Sequence, residues 1–176
     1  MQETKNLVRR FNQGDVESLR GMYDLFRHDL MTLAMALLRE SAGAEDAVHE
    51  VFVKLLASQH TIRIRGNLRG YLLTAVANTC RDMLTYKGKA KMSPGRPEGC
   101  WQKAPEEAVV LSEAQEHLAT ALEQLPYGQR EVLVLRYFGD LKFKAIAKSR
   151  GVSINTVQGR YRYGLEKLRS LLEDIK

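Results

Sequence analysis

Cysteine is nearly missing from this chain, and what little there is excludes two kinds of protein. Cys80 and Cys100 are the only 2. They stand too far apart for a dithiol redox pair or a zinc site, and a disulfide staple is not expected; free thiols fit a reducing compartment. The 4 histidines, His28, His49, His60 and His117, show no metal-ligand spacing. No apolar run approaches the ~20 residues that span a bilayer, so no membrane insertion is expected. The N-terminus is polar and charged, unlike a signal peptide. No phosphate-binding glycine loop, nucleophile elbow or paired-carboxylate site occurs. The expectation is a non-enzyme with no cofactor and no metal. Alternating strand patterns of useful length are also missing, which leaves an all-α fold.

What is present is positive charge, unevenly placed. The 176 residues carry a net +6. Residues 61–91 hold seven bases and one acid, a net +6. Residues 106–131 hold six acids and one base, a net −5, and residues 136–169 hold nine bases and two acids, a net +7. Each half of the chain thus has its own basic patch, and a polyanionic partner is expected. Between them, the stretch from Tyr86 to Pro105 carries three of the 4 prolines and few aliphatic residues. Such a stretch buries little and reads as a flexible basic linker. The expected organisation is a helical domain over 1–86, a linker over 87–105 and a second helical domain over 106–176.

The most specific stretch is KFKAIAKSRGVSINTVQGRYRYGLEKLR, residues 142–169. Ile146 and Ala147 sit inside a short helix, Gly151 supplies a tight turn, and Ser153 is a good N-cap for the helix that follows. Ile154, Val157, Tyr161, Leu165 and Leu168 recur at helical spacing as its buried face. Asn155, Gln158, Gly159 and Arg162 recur at i, i+3, i+4 and i+7 on the opposite face. Their side chains suit base edges and phosphates, and the glycine lets a backbone come close. This is the pattern of a helix-turn-helix with the recognition helix second. Arg150 and Arg160 interrupt it where apolar residues are common. Upstream, Leu111, Ala114, Leu118, Leu122 and Leu125 mark an amphipathic helix over 107–124 that Pro126 ends, and REVLVLRYF reads as the centre of a small core.

In the first half, a short helix is expected over 5–12 and a longer one from Gly14-Asp15 to about Arg39, the latter with Leu19, Met22, Tyr23, Phe26, Leu30, Leu33, Ala34 and Leu37 inward. A break at 41–43 precedes AEDAVHEVFVKLL, where Val48, Val51, Phe52, Leu55 and Leu56 face the core. Asp46, His49, Glu50 and Val53 form a second face at i, i+3, i+4 and i+7. Acids in a first turn favour the helix dipole, but that accounts for neither Glu50 nor an outward valine. A docking surface for a basic protein does. Next come a basic loop with His60, Arg63 and Arg65, and a helix that Asn67 can cap. Leu68, Leu72, Ala75, Val76, Thr79 and Met83 form its buried stripe. Arg69, Asn78 and Arg81 are left for solvent or for single-stranded nucleic acid.

Both halves, in this order, resemble bacterial RNA polymerase sigma factors of the extracytoplasmic-function (ECF) group. GAEDAVHEVFVKLL resembles the core-binding helix of sigma region two. NLRGYLLTAVANTCRDML resembles the helix that opens the downstream promoter element. LEQLPYGQREVLVLRYFGDLKFKAIAKSRGVSINTVQGRYRYGLEKLR resembles region four. The resemblance implies a recruitment factor that binds core polymerase, through the β′ clamp helices and the β flap, and promoter DNA. It implies an anti-sigma protein as a further partner and a cytoplasmic, nucleoid-associated location. It puts polymerase docking on Glu45, Asp46, His49, Glu50 and Val53, with histidine where the family commonly has glutamine. It puts downstream-element binding on Arg63, Arg65, Asn67, Arg69, Asn78 and Arg81, with Tyr71 where tryptophan is usual. It puts upstream-element binding on Lys148, Ser153, Asn155, Thr156, Gln158, Gly159, Arg160, Arg162 and Tyr163. The linker would thread the polymerase RNA channel. The rival reading is a LuxR-type regulator acting without polymerase exchange, whose first half would be a ligand-binding domain or a receiver, the latter needing alternating strands and an acidic phosphate pocket.

Overall fold

The computed structural model describes residues 2–91 and 113–173. Among these residues there are eight α-helices and no strand. The expected linker beyond residue 91, Trp101, Cys100 and the expected helical start at 107–112 lie outside the described residues. The chain divides into two compact units.

The first unit holds α1 (Gln2–Asn12), α2 (Glu17–Leu38), α3 (Ser41–Ala57) and α4 (Leu68–Lys91). Asp15 starts α2, its Oδ1 accepting the Glu17 N–H at 3.0 Å. Arg39 ends α2 in the left-handed conformation, φ 69°, with its N–H on the Met35 carbonyl. The break expected at 41–43 falls earlier, at Arg39 and Glu40, because Glu40 is extended and α3 begins at Ser41. Gly43 lies buried within α3, where a Cβ would stand 2.5 Å from Glu40 Oε1.

The core is built where α2 packs on both α3 and α4, and α3 on α4. Met22, Leu30, Leu33, Leu37, Val48, Leu68, Leu72 and Val76 are buried in it. Each such side chain contributes about 1.5–3 kcal/mol on leaving water. Covered on two sides, α4 also buries Leu73, Ala77 and Cys80, while Ala75 and Met83 are only half-buried. Leu56, expected inward, is 49% exposed. Helical backbone in α4 continues to Lys91, beyond the point where the composition suggested an end.

The second unit holds α5 (Glu113–Glu123), α6 (Tyr127–Tyr137), α7 (Phe143–Arg150) and α8 (Ile154–Glu173). Pro126 caps α6 at φ −52°. As expected, α6 is central, burying Val132, Leu133, Val134 and Leu135 and packing on α8 and α7. Leu118 and Ile154, both expected inward, are exposed, and Ala121 and Val157 carry the burial instead. Val157 alone of the expected α8 stripe is fully buried; Tyr161, Leu165 and Leu168 are half-buried and Gly164 is buried beside them. A Cβ on Gly164 would stand 3.1 Å from Leu133 Cδ1 and 3.2 Å from Gln129 Cβ, so the missing methyl sets how closely α8 approaches α6.

Candidate nucleic-acid and partner interfaces

On α3, Glu45, Asp46, His49 and Val53 are exposed and Glu50 is half-buried. Ser41 Oγ donates to Glu45 Oε1 at 3.4 Å, and Lys54 Nζ lies 2.5 Å from Glu50 Oε1. An exposed i,i+4 pair of this kind contributes little, about 0–1 kcal/mol, so it does not hold Glu50 away from a partner. Leu56 extends the same face, three residues beyond Val53. Its spacing signalled this, but a generic apolar pattern had assigned it to the core.

The loop between α3 and α4 uses its polar groups unevenly. Asn67 Oδ1 accepts the Gly70 N–H at 3.2 Å, the N-terminal cap expected of it. Arg63 donates to the main-chain carbonyl of Asn12. Arg69 Nε donates to Asp29 Oδ2 at 2.7 Å, tying α4 to α2. Arg81 donates to Asn78 Oδ1 at 3.0 Å. Arg65 is exposed with no hydrogen bond or ion pair among the described residues. Asn78 also lines an open cavity of about 240 Å³ between the end of α3, the loop and α4. Ser58, Ile62, Tyr71 and Asp82 contribute to its wall. Burial pushes the Tyr71 hydroxyl above its ordinary pKa. Asp82, one turn after Asn78 on α4, and Lys54, brought across from α3 by the fold, join this site.

On α8 the expected geometry is present. Gly151 closes α7 at φ 63°, and Ser153 Oγ accepts the Thr156 N–H at 3.0 Å. Asn155, Thr156, Gln158, Arg162 and Tyr163 are exposed, as is Lys148 on α7. Gly159 has open space where a Cβ would stand. Arg162 lies over the Tyr163 ring, 5.0 Å from its centroid. Arg160 sits apart from this face: its Nε is 3.4 Å from where a Cβ on Gly128 would be, against the first turn of α6. Arg150 is buried, its side chain 1% exposed and its Nε 3.2 Å from Glu131 Oε2, with Glu131 2% exposed. Tyr127 OH donates to Glu131 Oε1 at 3.2 Å. The apolar pattern broken by Arg150 is thus answered by a charge on α6. Near the far side of α8, Tyr161 stacks on Tyr137 and meets Phe143 edge-on. The hydrogen bond to Tyr137, then burial, raises the Tyr161 pKa.

One unit thus carries a capped helix-turn-helix, and the other an acidic, outward helix face. Residues 22–90 match Sigma-70 region 2, and residues 115–168 match Sigma-70, region 4. The chain belongs to the sigma-70 family, in its ECF group, whose members direct transcription initiation. It is 28% identical over 151 residues to the RNA polymerase sigma factor SigV of Bacillus subtilis, covering 85% of this chain and 89% of that one. It is 25% identical to the sigma factor CarQ of Myxococcus xanthus, covering 96% and 97%. In fold it is similar to the sigma factor RpoE of Bartonella quintana, solved with the anti-sigma factor NepR. The TM-score is 0.72 at 24% identity, covering 88% of this chain and 96% of that one. The LuxR-type reading is not favoured: the first unit matches sigma region 2, and its described residues contain no strand.

Proposed function

We propose that this sigma factor divides its work among three faces. The α3 face, with Glu45, Asp46, His49, Glu50 and Val53 and extended by Leu56, docks on the basic clamp helices of core RNA polymerase. The loop at 61–67 and the outer side of α4 take the opened strand of the downstream element. Arg65 and Arg81 meet phosphates there, and the cavity beside Asn78 accepts an unpaired base. The α8 face reads the upstream element in the major groove, with Asn155, Gln158 and Arg162 toward base edges and Lys148 toward phosphate. The domains are proposed at 1–86 and 106–176, with the segment between them crossing the polymerase surface. The mechanism is recruitment and strand capture, with no covalent step. The factor would act in the cytoplasm, at the nucleoid when bound to polymerase. An anti-sigma partner is proposed as well, since the similar RpoE was solved with one.

The observation that carries the reading is the α3 face: exposed carboxylates beside an exposed valine, on a helix whose other side is fully packed. Reversing Asp46 and Glu50 together to lysine should weaken binding to purified core polymerase at least tenfold, with thermal melting unchanged. A double variant that binds core like the parent removes the docking assignment.

A further inference from the structure

The loop at 61–67 is held at its start by Ser58, whose carbonyl accepts the Ile62 N–H at 2.8 Å, and at its middle by the end of α1. Asn12 Nδ2 donates to the Ile64 carbonyl at 3.0 Å, and the Ile64 N–H donates to Asn12 Oδ1 at 3.0 Å. A side-chain amide paired both ways with a peptide unit reproduces the exchange between neighbouring strands. Ile64 is 1% exposed, so this peptide is held where water cannot easily replace the amide. Arg63 closes the arrangement by donating to the Asn12 carbonyl. The turn after α1 passes beside His60: a Cβ built on Gly14 would stand 3.7 Å from His60 Cε1. Gly14 is at φ +91°, a conformation that suits glycine.

The loop sequence Ile62–Arg63–Ile64–Arg65 alternates in character. With Ile64 fixed inward, Arg65 is exposed and Ile62 falls on the cavity wall. Asn12 therefore sets the register on which both depend, although it contributes nothing to the α3 face, the cavity or α8.

We propose that Asn12 is a positioning residue for promoter opening, holding the loop so that Arg65 and the cavity face the opened strand together. This rests on the reading of the loop as the strand-capturing segment. Its neighbours Leu7 and Phe11 are buried and keep α1 docked, so Asn12→Ala is expected to fold.

The test uses the full chain assembled with core polymerase. Strand opening is followed by permanganate footprinting on a duplex promoter and on the same promoter with a pre-melted bubble, for Asn12→Ala and for Arg65→Ala/Asn78→Ala. Asn12→Ala should slow duplex opening about tenfold, the scale of two ordinary hydrogen bonds lost. It should leave polymerase binding and bubble transcription unchanged and speed amide exchange at Ile64. If Asn12→Ala opens duplex normally while the loop double variant does not, the Asn12 inference is wrong and the loop reading stands. If both open normally, the loop reading fails and takes the inference with it. If Asn12→Ala is equally impaired on the bubble template or in binding polymerase, its role is general folding and the positioning role is overturned.

Discussion

The loop before α4 and the outward face of α8 are both arginine-rich in sequence, yet the fold treats their charge differently. In the loop, Arg63 and the nearby Arg69 are engaged by Asn12 and Asp29, and Arg65 alone is unpartnered among the described residues. In the helix-turn-helix, Arg150 and Arg160 turn inward against α6, while Lys148, Gln158 and Arg162 stay on the surface. A net charge read from sequence therefore counts fasteners and contacts together. The two patches differ in what the fasteners do: in the first, an exposed Arg63 holds the loop and a half-buried Arg69 ties α4 to α2; in the second, a buried Arg150 joins α7 to α6.

That comparison can be broken most sharply at the buried pair. Arg150→Leu leaves Glu131 charged and enclosed, and should destabilise the second unit by about 3–5 kcal/mol. Combining it with Glu131→Leu should recover most of the loss, as read by amide exchange across α6–α8. A single variant as stable as the parent would put Arg150 among the surface arginines. Next in size, Gln158→Ala should cost about 1–3 kcal/mol on the preferred upstream element and much less on unrelated duplex. Arg160→Ala should lower affinity alike on all sequences, because it acts through α6. Equal sequence dependence for both would erase the distinction.

The glycines of α8 sharpen the contrast between its two sides. Gly159→Ala should stabilise the second unit by up to about 1 kcal/mol and still weaken DNA binding, because it fills space open to a ligand. Gly164→Ala should destabilise it, since Leu133 and Gln129 already crowd that position. Melting curves with matched binding titrations separate the two. Smallest of all, Arg69→Ala should change stability by about 0–1 kcal/mol. Arg65→Ala should leave stability alone but flatten the salt dependence of single-strand binding by about 0.7 unit of log–log slope.

The helices themselves were legible because each signal was local: the Ser153 cap, the Gly151 turn, the Asn67 cap and the 3.6-residue periodicity of α2 all act within one turn. What sequence hid was set by more distant packing. Leu56 and Ile154 have apolar side chains at helical spacing, but the described residues leave them 49% and 39% exposed. Cys80 and Leu73 lie off the expected stripe and are buried because α4 is covered by two helices. The inward turn of Arg150 needed Glu131, nineteen positions away, and the pinning of Ile64 needed Asn12, on another helix. At the proposed interfaces the residue types were legible; which of them are already engaged within the fold was not.

Cys80 gives this architecture a built-in clock. Its side chain is fully buried in the first unit, so a thiol reagent reaches it only when that unit opens. In a Cys100→Ser background, the alkylation rate of Cys80 measures how often that core breathes. Slower labelling in the presence of core polymerase would report, from inside the protein and without any attached probe, how much the partner tightens the unit that must later hold separated strands.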